Sequence, residues 1–150
     1  MYKKIFVAID NSPTAQKALE EAIALATSLK VDICVAFVAD ESGLLQHGMG
    51  LGSYINVDQI KLEMQQAGNA MLDAAVAKAA AAGCSAERVL VESANRRVAE
   101  AISDAAQIWG ADLLVVGAHG VRGFERLLVG SVAENLTRIS PLSLLIVRQA

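Results

Sequence analysis

The chain has 150 residues with a net charge of -3 and a sequence pI near 5.3, so it lacks the basic excess that coats nucleic acid. That length suits one domain with a proper core. A composition 54% hydrophobic but only 4% aromatic excludes disorder and means a core of Ala, Val, Ile and Leu.

The opening MYKKIFVAID has a five-residue apolar run before Asp10, too short for a signal-peptide core. No later stretch reaches the roughly 18 uninterrupted apolar residues of a membrane span. The expectation is a cytoplasmic protein without membrane insertion. KIFVAI (4–9) reads as the first strand, and Ser12 followed by Pro13 supplies an N-cap and a first-turn proline for a helix over 14–29. DICVAFVA (32–39) reads as the second strand. The connection DESGLLQHGMGLGSYINV (40–57) carries four glycines and His47; at that length it reads either as a flap over the sheet end or as an irregular excursion.

Helical spacing returns over 58–82 and stops at Gly83, RVLVE (88–92) reads as the third strand, and a helix over 97–109 stops at Gly110. DLLVVG (112–117), a helix over 131–139 and SLLIVR (143–148) complete the series. All five apolar runs read as strands buried on both faces. Cys34 and Cys84, without a CxxC pair or a histidine at ligand spacing, read as reduced and structural. His47 and His119 have too few partners for a metal held by the protein alone.

Strict alternation of strand and helix predicts a doubly wound α/β fold, a five-stranded parallel sheet with helices on both faces. Ligands of such sheets lie outside the carboxyl ends of the strands, where the strand order reverses. Two segments end strands there, AIDNSP and GAHGVRGFERLLVGS. In the second, Gly117, Gly120 and Gly130 precede Ser131, which has two readings. One is ordinary turn glycines with a serine N-cap. The other is a phosphate cradle, in which glycine allows close backbone approach and the unpaired N–H groups of a helix starting near Ser131 attract an anion. The phosphate loop GxxxxGK[ST] is absent, and GxGxxG does not follow the first strand. A phosphoacceptor receiver would pair acids after strand one and end strands three and five with aspartate and lysine; this chain offers Asp10 alone, Glu92 and Arg148.

The spacing G117-x2-G120-x9-G130-S131, with VAIDNSP near the start and SPLSLLIVR at the end, resembles the universal stress protein family, specifically its ATP-binding branch, over the whole chain. The resemblance implies strand order 3-2-1-4-5, ATP with Mg2+ between strands one and four, and a homodimer. It places Asp10 on the ribose or phosphate side, Val38 against adenine through its backbone, and Gly117, Gly120, Gly130 and Ser131 around ribose and phosphates. For Asp10 the alternative is an acid that polarises the turn or the start of helix one, and for Val38 it is core. Arg122 and Arg126 stand inside the loop, either as cations that offset phosphate charge or as surface arginines with no ligand, the commoner case, and they are left outside the candidate site.

Two residues depart from the family pattern. Asn11 replaces a frequent glycine, tolerable because Asn visits left-handed backbone, and Ser143 replaces a frequent second proline before the last strand. The leading expectation is an ATP-binding regulator or sensor with an unidentified protein partner. A slow ATPase or phosphotransferase using Asp10 with magnesium is the alternative, and a structural protein without nucleotide is disfavoured by the intact glycine set. In the implied order strand five lies at an edge, and Leu144 to Val147 is an apolar run open to a second copy.

Overall fold

The computed structural model describes residues 1–40, 56–119 and 129–149. Its elements in chain order are β1 (Lys4–Ile9), α1 (Pro13–Leu29), β2 (Asp32–Ala39), α2 (Val57–Ala81), β3 (Ala86–Glu92), α3 (Val98–Trp109), β4 (Leu113–Gly117), α4 (Ser131–Ile139) and β5 (Ser143–Val147). All strand pairs are parallel, in the order β3-β2-β1-β4-β5. This is the doubly wound α/β sheet, in the order the resemblance implies.

Local chemistry sets the boundaries. Ser12 Oγ accepts the Ala15 N–H at 3.2 Å with Pro13 behind it, and Asn56 caps α2 by accepting from Gln59 N–H at 3.1 Å. Beyond α2 and α3, Gly83 and Gly110 take φ of +81° and +85°, the left-handed turn that glycine adopts without Cβ strain. The end of α1 uses the same turn without glycine: Lys30 has φ 57° and donates its N–H to Ala26 O.

Side chains alternate across the sheet with period two. Ile5, Val7, Ile9, Ile33, Val35, Leu113 and Val115 face α1 and α2, while Phe6, Cys34, Ala36, Leu114 and Val116 face α3 and α4. Alanines fill much of the helix side of both cores, Ala15, Ala18, Ala22 and Ala26 on α1 and Ala99, Ala101 and Ala106 on α3. Full burial of a large side chain such as Phe6 or Leu114 stabilises by about 1.5–3 kcal/mol.

Burial on both faces holds for β1, β2 and β4 but not for the edges. In β3 only Val91 is buried, and in β5 only Val147. An edge strand has a neighbour on one side alone and reaches beyond the helices that cover the centre. Cys34 and Cys84 are both free and buried, on opposite faces of the sheet, and burial pushes the Cys34 thiol up to about 12. Among the described residues no helix is long and apolar enough to cross a membrane.

Candidate functional site

The sheet forks at its carboxyl end. β1 stays in register with β2 as far as Ile9 and Phe37, but its register with β4 stops at Val7 and Val115. β4 meanwhile continues beside β5 to Gly117 and Val147. The crevice so formed lies where the strand order reverses, the position at which open α/β sheets take ligands.

Asp10 stands at the end of β1. Its Oδ1 accepts the Ser12 N–H at 2.8 Å, and Oδ2 has no hydrogen bond among the described residues. The carboxylate thus shapes the turn into α1 and keeps one oxygen for another partner.

On the other side of β1, Val38 lies one residue past the last register pair with that strand. The carbonyl of Ala39 accepts from Ser93 N–H at 3.2 Å and so faces β3. By strand alternation the backbone groups of Val38 face β1, where the ladder ends. Its half-buried side chain packs on the core shared with α3 and α4. Val38 is therefore core by its side chain and open to the crevice by its backbone, and the two readings of this residue are compatible.

Gly117 ends β4 without a left-handed φ. A Cβ there would lie 2.6 Å from Thr14 Oγ1 and 2.9 Å from Ala15 N. The first turn of α1 fills the space, so close packing, and not turn geometry, demands glycine here. Ala118 follows, buried; its N–H goes to Val147 O at 2.8 Å and its carbonyl accepts from Gly130 N–H at 2.6 Å. The two ends of the glycine-rich segment meet at this pair.

Gly130, with extended backbone (φ -60°, ψ 162°), is the N-cap of α4 and supplies no side-chain cap bond. The serine-cap reading is thereby corrected: Ser131 is the first helical residue, and it is exposed. A capping side chain would have occupied N–H groups of the first turn; with glycine at the cap they have no side-chain cap bond among the described residues and lie at the positive end of the helix dipole. Exposed Glu134 lies in that same first turn. Asn11 is another correction, since it does not adopt left-handed backbone and its tolerance needs no special conformation. Ser143 opens β5 opposite Leu113 without disturbing the register. Gly120, Arg122, Arg126, His47 and positions 41–55 of the long connection lie outside the described residues.

The structure thus gathers Asp10, Val38, Gly117, Gly130 and Ser131 at one end of the sheet. It adds Thr14, which sequence reading missed, and gives Ser12, read only as a helix cap, and His119 contacts that the sequence did not reveal. Thr14 and Ser12, both 3% exposed, bond the His119 backbone, and His119 Nδ1 is buried with no hydrogen-bond partner among the described residues. An unpaired buried nitrogen, an acidic oxygen and uncapped helix amides form a donor and acceptor set suited to a polar ligand with anionic groups. Two concavities lie elsewhere and contain none of these residues, one of about 300 Å³ around Val76, Ala80 and Cys84, and one of about 470 Å³ between β3 and α3.

A five-stranded parallel sheet in the order β3-β2-β1-β4-β5, forked between β1 and β4 with a glycine-capped helix beyond the fork, defines a doubly wound α/β protein whose candidate ligand site lies at the switch point. Within that class the chain belongs to the universal stress protein family, whose model matches residues 1–148. Universal stress protein YxiE of Bacillus subtilis (strain 168) is 32% identical over 151 residues, covering 99% of this chain and 100% of that protein. A solved structure from the family in Burkholderia pseudomallei is 29% identical with a TM-score of 0.78, covering 97% of this chain and 96% of that one. A crystal structure of a universal stress protein in complex with cAMP is 28% identical with a TM-score of 0.70, covering 99% of each chain.

Proposed function

We propose that the chain is an ATP-binding regulator of the universal stress type, in which nucleotide occupancy at the β1–β4 fork alters the loops above it and hence what the protein binds. One observation carries this reading: the fork brings the free oxygen of Asp10, the outward backbone of Val38 and the uncapped start of α4 to a single crevice. The 28% identical protein in complex with cAMP supports a nucleotide as the ligand class.

In this reading the α4 amides and the segment from Gly117 to Ser131 hold the phosphates, and Val38 meets the base through its backbone. Asp10 is a hard oxygen donor suited to Mg2+ or a ribose hydroxyl. The test is to release the nucleotide from freshly purified protein with acid and identify it by chromatography. ATP recovered supports the regulator, and ADP or AMP moves the reading to a slow ATPase or phosphotransferase. No nucleotide recovered, with no binding by calorimetry, removes both.

The edge position of β5 supports a second part of the proposal, a homodimer. Leu144, Leu145 and Ile146 are only half-buried, and a two-fold partner presenting the same strand antiparallel would pair the edge and cover them. Sedimentation at micromolar concentration should give twice the 15.7 kDa chain mass; a clean monomer contradicts it.

A further inference from the structure

Helix α1 and the glycine-rich segment are joined through the backbone of one residue, His119. The N–H of His119 donates to Thr14 Oγ1 at 3.3 Å, and the same hydroxyl donates to the His119 carbonyl at 2.5 Å. Ser12 Oγ donates to that carbonyl too, at 3.2 Å, while capping α1. A hydroxyl has one proton and two lone pairs, and a carbonyl has two lone pairs, so every bond in this set can form at once. Thr14 and Ser12 are buried, and water does not replace these bonds cheaply.

The position of the clamp matters. Ala118 is tied to Val147 on one side and to Gly130 on the other, so His119 is the first residue beyond the closure of the segment. Gly117 lacks a Cβ where Thr14 stands, which makes that glycine and this threonine a matched pair. Asp10 is held to Ser12 N–H on the same turn. One short stretch, residues 10–14, therefore carries both the acidic group of the site and the hydroxyls that anchor the glycine-rich segment.

We propose that Thr14 is a positioning residue of the nucleotide site: it need not touch ligand, but its hydroxyl sets where the glycine-rich segment starts relative to Asp10. The inference rests on the nucleotide-binding reading. Its test compares Thr14→Val, which keeps the shape and removes both bonds, with Thr14→Ser, which keeps the hydroxyl. Each is titrated with Mg-ATP by calorimetry beside the parent, and amide exchange at His119 is followed in the same samples. Thr14→Val should bind about tenfold more weakly with faster exchange at His119, and Thr14→Ser should stay within about twofold of the parent. Should Thr14→Val not fold, Thr14→Ala carries the same expectation. Parent binding with a folded Thr14→Val of equal affinity overturns the inference alone. A parent that binds no nucleotide removes the earlier reading, and the inference with it.

Discussion

At their amino ends β1 and β4 are joined by Asp112, whose carboxylate takes the N–H groups of Lys3 at 2.8 Å and Lys4 at 3.0 Å. Lys4 Nζ in turn reaches the Trp109 carbonyl at 2.6 Å and lies 4.1 Å from the centre of that ring. At their carboxyl ends the same two strands leave register after Val7 and Val115, and their only bridge is the hydroxyl pair on His119 among the described residues. One end has its backbone groups taken up by side chains of the chain itself. The other leaves an acid oxygen, a strand backbone and a helix start to be satisfied by something else. On the proposed function, ligand binding belongs to the carboxyl end of this strand pair alone, so substitutions there should change affinity and those at the amino end should not.

The largest effect should come from Gly117→Val, which forces carbon into the space of Thr14 and the backbone of Ala15. Overpacking of that kind costs about 3 kcal/mol, or a fall in melting temperature of roughly 6–12 °C for a chain of this size, together with loss of nucleotide binding. A calorimetric melt unchanged from the parent would mean that α1 yields freely there. Gly130→Val comes next. It places a branched side chain at the cap of α4 with the core untouched, and Mg-ATP affinity should fall at least about tenfold, equivalent to about 1.4 kcal/mol, with unchanged circular dichroism. Unaltered affinity would remove this glycine from the ligand's border.

Asp10→Asn is a finer probe, because the amide oxygen can still accept the Ser12 N–H and only the charge is lost. Affinity for Mg-ATP should drop more than affinity for adenosine, while stability stays within about 0.5 kcal/mol. Equal affinities with a lower melting temperature would return Asp10 to a purely local role.

The smallest effect belongs to the closed end. Burial raises the Asp112 carboxyl, but the N–H bonds from Lys4 and Lys3 outweigh it and hold the group below its ordinary 3.8. A folded value below the unfolded one gives stability that is whole above about pH 3.8 and is lost as pH falls through the folded value. Asp112→Asn should therefore cost about 1 kcal/mol at neutral pH, and the difference from the parent should shrink and vanish as pH falls below the folded value. Binding should not change. A difference that persists in acid would assign the loss to packing instead of charge.

The contrast also marks what a sequence can show. The nine elements among the described residues are legible because apolar runs of clear period alternate along the chain and several boundaries have a local signal, Ser12-Pro13, Gly83 or Gly110. The end of α1 at Lys30 lacks such a signal, because lysine there takes a turn that glycine would advertise. Edge burial is not legible either: the apolar run of β5 looks like that of β4 until the strand order is known. At the site, Asp10 and the glycines are visible as motif residues, yet the cause of Gly117 lies in Thr14, and the anchors of His119, Lys3 and Lys4 lie 105 to 109 positions away. Periodicity has no access to partners at that distance.

The most direct test of the division between the two ends is amide NMR of the isotope-labelled protein during titration with Mg-ATP. Shifts concentrated at Asp10 to Thr14, Val38 and Gly117 to Ser131, with Lys3, Lys4 and Asp112 unmoved, are the result expected. Shifts centred on the amino end, or none at saturating nucleotide, would contradict a ligand site at the β1–β4 fork.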